Sequence, residues 1–224
     1  MSTAPETLQA HFHALHAERE RSWPAEQLAR NVAKRKELTE TFDRSRAVKP
    51  GDRIEPITLE DSQGGEIALA DLVSGGPAVL VFFRFAGCPA CNLALPYYDR
   101  QLRPTLDRLG VPLVAISPHL TETGLDEIRS RHQLGFRIAA DRDNRLARGL
   151  GISFDRDVVP AERPQGWTGE LTGTGTAEFP YPAAIIIDEG LVVRYADISP
   201  DWLIRTEAPE ILSAVDRIRR KVAA

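Results

Sequence analysis

Cys88 and Cys91 are the only thiols in the chain, three residues apart in Phe85-Ala-Gly-Cys-Pro-Ala-Cys91. Such a pair can close a disulfide, supply half of a zinc site, or sit inert in a core. Its setting decides. Residues 78–83, Ala-Val-Leu-Val-Phe-Phe, read as a strand buried on both faces, and the residues from 90 onward read as a helix. Cys88 then falls near the N-cap, and Pro89 in the first turn, where a missing N–H costs nothing. Unpaired backbone N–H groups and the positive end of the helix dipole favour a thiolate there. They draw a free-cysteine pKa of about 8.5 into the range of roughly 3.5–7.5. Cys88, its sulfur facing outward, is the predicted nucleophile. Cys91, one turn further in, is within reach to close a disulfide on it. Zinc would need two more ligands, and His119 and His132 show no ligand spacing, so neither a metal nor a cofactor is expected.

The strand that carries this pair needs neighbours. Residues 111–116 form a second continuous apolar run, and 183–187 with 191–195 read as a strand pair turning at Asp188-Glu-Gly190. Residues 57–59 and 66–69 read as a hairpin across Ser62-Gln-Gly-Gly65. Helices are predicted at 90–109, 122–133, 143–150 and 208–222, whereas 154–180, rich in Gly, Pro and Thr, reads as a long loop with some helix near the site. This alternation predicts an α/β fold with a central mixed sheet between helices. The glycine clusters at 75–76 and 172–176 match neither the dinucleotide fingerprint nor the P-loop.

Upstream, Leu8, Phe12 and Leu15 recur at i, i+4 and i+7, which predicts an amphipathic helix over about residues 5–20. Pro24 opens a second helix with Leu28, Val32, Leu38 and Phe42 as its apolar positions, ending before Lys49-Pro-Gly51. The predicted division is therefore a helical extension over 1–46 and an α/β domain over 47–224. The first helix is too short to stand alone in water, so its stripe must cover either the home domain or a second subunit, and a homodimer is the expectation. His11, His13 and His16 also lie here and read as helix surface.

Apolar residues make up 42% of the 224 and charged residues 27%, enough to build a core and too apolar for global disorder. The net charge of -4 gives no field that would draw nucleic acid. No window has the length and apolarity of a membrane span, and the first residues lack a basic and an apolar region, so a soluble cytoplasmic protein is expected.

In Val81-Phe-Phe-Arg-Phe-Ala-Gly-Cys-Pro-Ala-Cys-Asn-Leu-Ala-Leu95, together with Ile116-Ser-Pro118 and Phe179-Pro-Tyr-Pro-Ala-Ala-Ile-Ile-Ile-Asp188, the chain resembles the peroxiredoxin-like branch of the AhpC/TSA family. The resemblance spans about residues 47–215 and implies a thioredoxin-like fold. It further implies a Cys88/Cys91 dithiol–disulfide cycle that reduces hydroperoxides or disulfides in an antioxidant role, regenerated by an external thiol reductant, thioredoxin-like or glutathione. Pro182 takes the place of the superfamily's cis-proline, with the Tyr181 backbone left free to pair with a disulfide substrate. Pro96 is similar to the proline within the thioredoxin active-site helix. Arg84, Cys88, Pro89, Cys91, Asn92 and Leu93 match that branch's usual run, while Phe85, Ala86 and Gly87 depart from it. In typical peroxiredoxins the nucleophile closes a Pro-x-x-x-Thr-x-x-Cys motif, and here Val81 and Phe85 fill the first two positions. Their arginine position is held by Pro182, which leaves Arg84 or Arg194 to substitute. Slow peroxide chemistry follows from that reading. Two alternatives stand beside it: a protein-disulfide reductase without significant peroxidase activity, and a redox-sensing or adaptor module.

Overall fold

The computed structural model describes residues 6–155 and 165–222. In chain order the elements are α1 (Leu8–Ser22), α2 (Ala25–Thr41), β1 (Thr58–Asp61), β2 (Glu66–Ala68), α3 (Leu69–Leu72), β3 (Ala78–Phe82), α4 (Pro89–Gln101), α5 (Arg103–Leu109), β4 (Leu113–Ser117), α6 (Glu127–His132), β5 (Arg137–Ala140), α7 (Arg145–Gly149), β6 (Ser153–Asp155), α8 (Thr168–Leu171), β7 (Glu178–Pro180), β8 (Ala183–Asp188), β9 (Val192–Ile198) and α9 (Ala208–Val222).

Seven strands form one mixed sheet in the order β2-β1-β5-β4-β3-β8-β9. β3, β4 and β5 pair parallel to one another, and every other pairing in the sheet is antiparallel. The continuous apolar runs occupy the middle: every residue of β3, β4 and β8 is buried, as strands with both faces covered require. The mixed α/β sheet, the β1–β2 hairpin and the antiparallel β8–β9 pair agree with the sequence pattern.

Several elements differ. β5, with only four residues, was not anticipated, because a run that short carries no readable period. The helix expected over 90–109 is two, α4 and α5, divided at Leu102 ahead of Pro104. Pro96 lies inside α4 without ending it. The helix expected over 122–133 shrinks to α6 after a short 3-10 turn at Thr121–Thr123. Part of the loop expected over 154–180 is ordered, with β7 pairing with β6 and α8 between them, while 156–164 lie outside the described residues.

The two N-terminal helices pack on the home domain. Leu8 and Phe12 are buried in the main core, with Leu15 against it, so the stripe is spent within its own chain and is not free to make the expected dimer contact. The N-terminus of α1 is gripped from the far end of the sequence: Leu8 and Gln9 N–H donate to the Glu207 carboxylate at 3.0 and 2.9 Å, and Tyr97 Oη donates to it at 2.6 Å. These bonds satisfy donors that every helix start leaves open, with the charge sign the helix dipole favours. α2 is held more lightly. It buries only Leu38, and Val32, expected on its apolar face, is 44% exposed. Arg35 ties it to Asp201 through bonds of 2.7 and 2.8 Å. The chain then returns past Gly151, where an added Cβ would stand 2.1 Å from the Arg46 carbonyl oxygen, so only glycine allows the crossing.

Candidate active site

β3 ends at Phe82, paired with Ala183 of β8, and the turn 83–88 leads into α4. Cys88 is the N-cap of α4 and Pro89 its first residue, and the preceding turn is fixed by side chains of β4, of the segment that follows β4 and of α4 itself. Ser117 Oγ donates to the Arg84 carbonyl at 2.9 Å. His119 accepts from Ala86 N–H on Nδ1 at 3.2 Å, and its Nε2 lies 3.0 Å from the Thr123 carbonyl. Those two partners select the neutral tautomer with its proton on Nε2. Burial, which lowers the His119 pKa, favours the same form. Asn92 donates to the Ala86 and Cys88 carbonyls at 2.7 and 2.9 Å and meets His132 and Arg131 through its own carbonyl oxygen at 2.8 and 2.9 Å. His119 and His132 therefore shape the turn, and among the described residues no cluster of His, Cys, Asp or Glu could hold a metal ion.

Both cysteines are reduced and 0% exposed. The outward-facing Cys88 expected from its N-cap position is thus corrected: α1 and the segment around Trp202 close over the helix start. Two guanidinium groups touch the sulfurs, and a third is buried nearby on α1. Arg84 Nη2 is 3.4 Å from Cys88 Sγ, and Arg205 Nη2 is 3.4 Å from Cys91 Sγ. Arg19, on α1, is near enough that the charge of Cys88 acts on its ionisation, second only to burial. Burial alone would push both thiols up. For Cys88 a hydrogen bond from Cys91 and the charges of Arg84 and Arg205 more than offset it, and the thiol is held well below the usual range. Cys91 moves the other way, raised by burial and by the hydrogen bond and charge it shares with Cys88, which the two arginines only partly counter. Of the two thiols, Cys88 is therefore the one that ionises first and Cys91 the one that keeps its proton.

The other residues singled out in the sequence fall as follows. Pro89 is exposed at the helix start. The Tyr181–Pro182 bond is trans, since the described residues contain no cis peptide, which corrects the expected cis-proline. Tyr181 N–H, expected to be free for a substrate, donates to the Ile152 carbonyl at 2.7 Å, and the Pro182 carbonyl accepts from Ser199 N–H at 2.8 Å. The Tyr181 ring stacks on Phe154 at 4.5 Å. Arg194 sits at the opposite end of the sheet, paired with Asp188 at 2.6 Å, so of the two candidate arginines only Arg84 reaches the sulfur.

Arg205 and Arg19 were missed. Arg205 lies 114 residues from Cys91 in a segment with no motif, and nothing local marks it. Arg19 did carry a signal: it continues the spacing of Leu8, Phe12 and Leu15 by one more i+4 step, a charged residue on a stripe that must be buried.

The chain was compared with known proteins. The AhpC/TSA family model matches residues 50–196. The thiol-disulfide oxidoreductase ResA of Geobacillus thermodenitrificans is 27% identical over 139 residues, covering 61% of this chain and 77% of that protein. Among solved structures, the peroxidoxin BcpB of Mycobacterium tuberculosis superposes with a TM-score of 0.59 at 19% identity, over 77% of this chain and 99% of that one. The reduced 2-Cys peroxiredoxin of Plasmodium vivax gives a TM-score of 0.61 at 14% identity, over 79% of this chain and all of that one, at 100%. A yeast mitochondrial 1-Cys peroxiredoxin, described as resolved via glutathione and thioredoxin systems, gives 0.58 at 16% identity, over 79% of this chain and 78% of that one. With the peroxiredoxin fold reproduced and a Cys-Pro-x-Cys pair at its strand-to-helix junction, the chain belongs to the AhpC/TSA family of thiol-dependent oxidoreductases.

Proposed function

We propose that this protein is a thiol-dependent hydroperoxide reductase working through a Cys88/Cys91 dithiol–disulfide cycle in an antioxidant role, in the reducing environment of the cytoplasm. The observation that carries the reading is Arg84, whose Nη2 lies 3.4 Å from Cys88 Sγ while its buried Nε has no partner. A donor so placed can hold a peroxide oxygen against the thiolate. The Cys88 thiolate attacks the distal oxygen of ROOH, the O–O bond breaks, and the departing alkoxide takes a proton to leave as ROH, with Cys88 as a sulfenic acid. Cys91 then displaces water from that sulfenic acid, and the Cys88–Cys91 disulfide forms. Two thiols of an external reductant, thioredoxin-like or glutathione, return it to the dithiol and are themselves oxidised. The yeast neighbour's dependence on those systems supports that choice of reductant.

Phe85 stands where typical family members place a hydroxyl, so one stabilising donor is absent, a loss that commonly lowers such rates by about 10²–10³. A small substrate suits an enclosed dithiol better than a folded protein does, and the Tyr181 N–H is already engaged. The likeness to ResA favours a second reading, a protein-disulfide reductase.

Stopped-flow fluorescence tests the first reading, because the Trp202 ring lies 4.6 Å from the Arg84 guanidinium and reports on the site. Hydrogen peroxide should oxidise Cys88 faster than free cysteine at an equal thiolate fraction, with repeated turnover when reductant is supplied. A rate no higher than that of the free thiolate, alongside efficient insulin-disulfide reduction, would move the assignment to the second reading. A single oxidation without turnover would point to a redox sensor.

A further inference from the structure

An open groove of about 460 Å³ runs beside α2, with Trp23 and Trp202 in its wall and Arg30, Asn31, Lys34 and Glu37 among its lining, the one carboxylate, Glu37, being paired with Lys34 at 3.0 Å. Each tryptophan backs onto a guanidinium. Arg19 lies 4.6 Å from the Trp23 ring centroid and Arg84 4.6 Å from that of Trp202, and Arg84 Nη2 is in turn 3.4 Å from Cys88 Sγ. A chain of contacts from Trp202 to Arg84 to Cys88 therefore links the wall of the groove to the candidate nucleophile. α2 forms its outer side and buries a single apolar residue, so this wall is the lightly held one.

The cations are out of balance. Arg19 is 5% exposed, yet its Nε and Nη1 have no hydrogen-bond partner, and Arg84 Nε has none either. Among the described residues, the polar side-chain partners of Arg84 and Arg205 are the two sulfurs and the Trp202 carbonyl, and none of the three arginines has a carboxylate partner. Three buried guanidinium groups are thus left with sulfurs, aromatic rings and one carbonyl as their neighbours. Buried donors and charges left unpaired are expensive, and a protein keeps them where a ligand completes them. Helix α1 also lies outside residues 50–196, so Arg19 is an addition of this chain to the matched family segment.

We propose that Arg19, with Arg84, forms an anion subsite at the mouth of Cys88, and that the substrate reduced there carries a carboxylate. The inference rests on Cys88 being the nucleophile proposed above and deepens it by naming the substrate class. The carboxylate occupies the open donors of Arg19, which leaves the reactive end of the molecule directed at Arg84 and Cys88. A neutral substrate of the same shape lacks that anchor.

Iodoacetate and iodoacetamide are near-isosteric and differ in the carboxylate, so their relative rates read the subsite independently of how much thiolate is present. Alkylation at Cys88 is followed by peptide mass in the full chain, beside free cysteine. The iodoacetate-to-iodoacetamide ratio should exceed that of free cysteine by about tenfold or more, the worth of one hydrogen bond to a charged group. Arg19→Gln should return most of that excess. Lys36→Gln, an exposed position on α2 paired with Glu40 at 3.7 Å, should leave the ratio unchanged. Should Arg19→Gln fail to fold, the wild-type protein decides alone: benzoate should slow iodoacetamide at Cys88 and benzamide should not. A wild-type ratio equal to that of free cysteine, or equal protection by benzoate and benzamide, overturns the subsite. Absence of peroxide turnover with a raised ratio would overturn the peroxidase assignment and leave the subsite standing.

Discussion

Replacing Arg84 with methionine removes the cation nearest the Cys88 sulfur while keeping an unbranched apolar stem against Trp202. Two unit charges 3.4 Å apart attract by about 5 kcal/mol at an effective dielectric constant near 20. The variant retains Arg205 and Arg19, and water can relax into the vacated space, so the full figure is an upper bound. A rise in the Cys88 pKa of about one to three units is expected, the span produced by a neighbouring opposite charge. The same change acts on the redox equilibrium. Each unit withdraws about 1.4 kcal/mol from the thiolate form, which corresponds to about 30 mV for a two-electron couple. Above the variant's thiol pKa, the potential of the pair should therefore fall by about 30–90 mV, making it the stronger reductant. Thiolate absorbance against pH gives the first quantity, and equilibration with a glutathione buffer gives the second. A Cys88 pKa that stays put or falls would refute the assignment of Arg84 as the main charge beside the thiolate.

Other consequences can be checked on the same material. Cys88→Ser should abolish turnover, whereas Cys91→Ser should react once and hold Cys88 as a sulfenic acid or mixed disulfide, visible by intact mass; equal alkylation rates for the two variants near neutral pH would contradict their unequal roles. Phe12→Ala removes a buried ring that fastens α1, a change that typically costs about 3–5 kcal/mol, and should speed the reaction of Cys88 with neutral alkylating reagents. An unchanged rate at lowered stability would show that α1 does not gate the thiol. For pH dependence, the folded-state pKa of Cys88 lies below its unfolded value, so its contribution is fully present above about pH 8.5 and is lost as pH falls through the folded pKa. Reduced wild type should accordingly gain stability over Cys88→Ser as pH rises through that window. Parallel denaturation midpoints would oppose it.

Much of this was legible in the residues because the relevant physics is local. A short run with every side chain apolar, bounded by Gly75-Gly-Pro77, reads as a covered strand, and a thiol one step before a proline-led helix meets open N–H groups whatever the rest of the chain does. Arg84 could be named as a candidate because it precedes Cys88 by four residues. Its aim could not, since that depends on Ser117 holding its carbonyl and on Trp202 flanking its guanidinium. Burial of the pair escapes a sequence reading for a related reason: an N-cap is exposed unless another element covers it, and the cover comes from α1 and the segment around Trp202, both far away in sequence. The trans Tyr181–Pro182 bond shows the limit of resemblance, because that stretch is pinned by Ile152 and Ser199, neither of which belongs to the motif.

The clasp between Glu207 and the start of α1 joins residues 199 and 198 positions apart. Synthesis proceeds from the N-terminus, so this contact, together with Arg205 and Trp202, is unavailable until residues 202–207 have been made. Cys88 and Cys91 emerge early and wait. Until residues 202–207 arrive, the thiol lacks its cover and one of its cations and behaves more like an ordinary cysteine, slow toward oxidants at neutral pH. The thiol's lowered pKa thus depends on a long-range closure of the fold, and a chain that still lacks residues 202–207 lacks it.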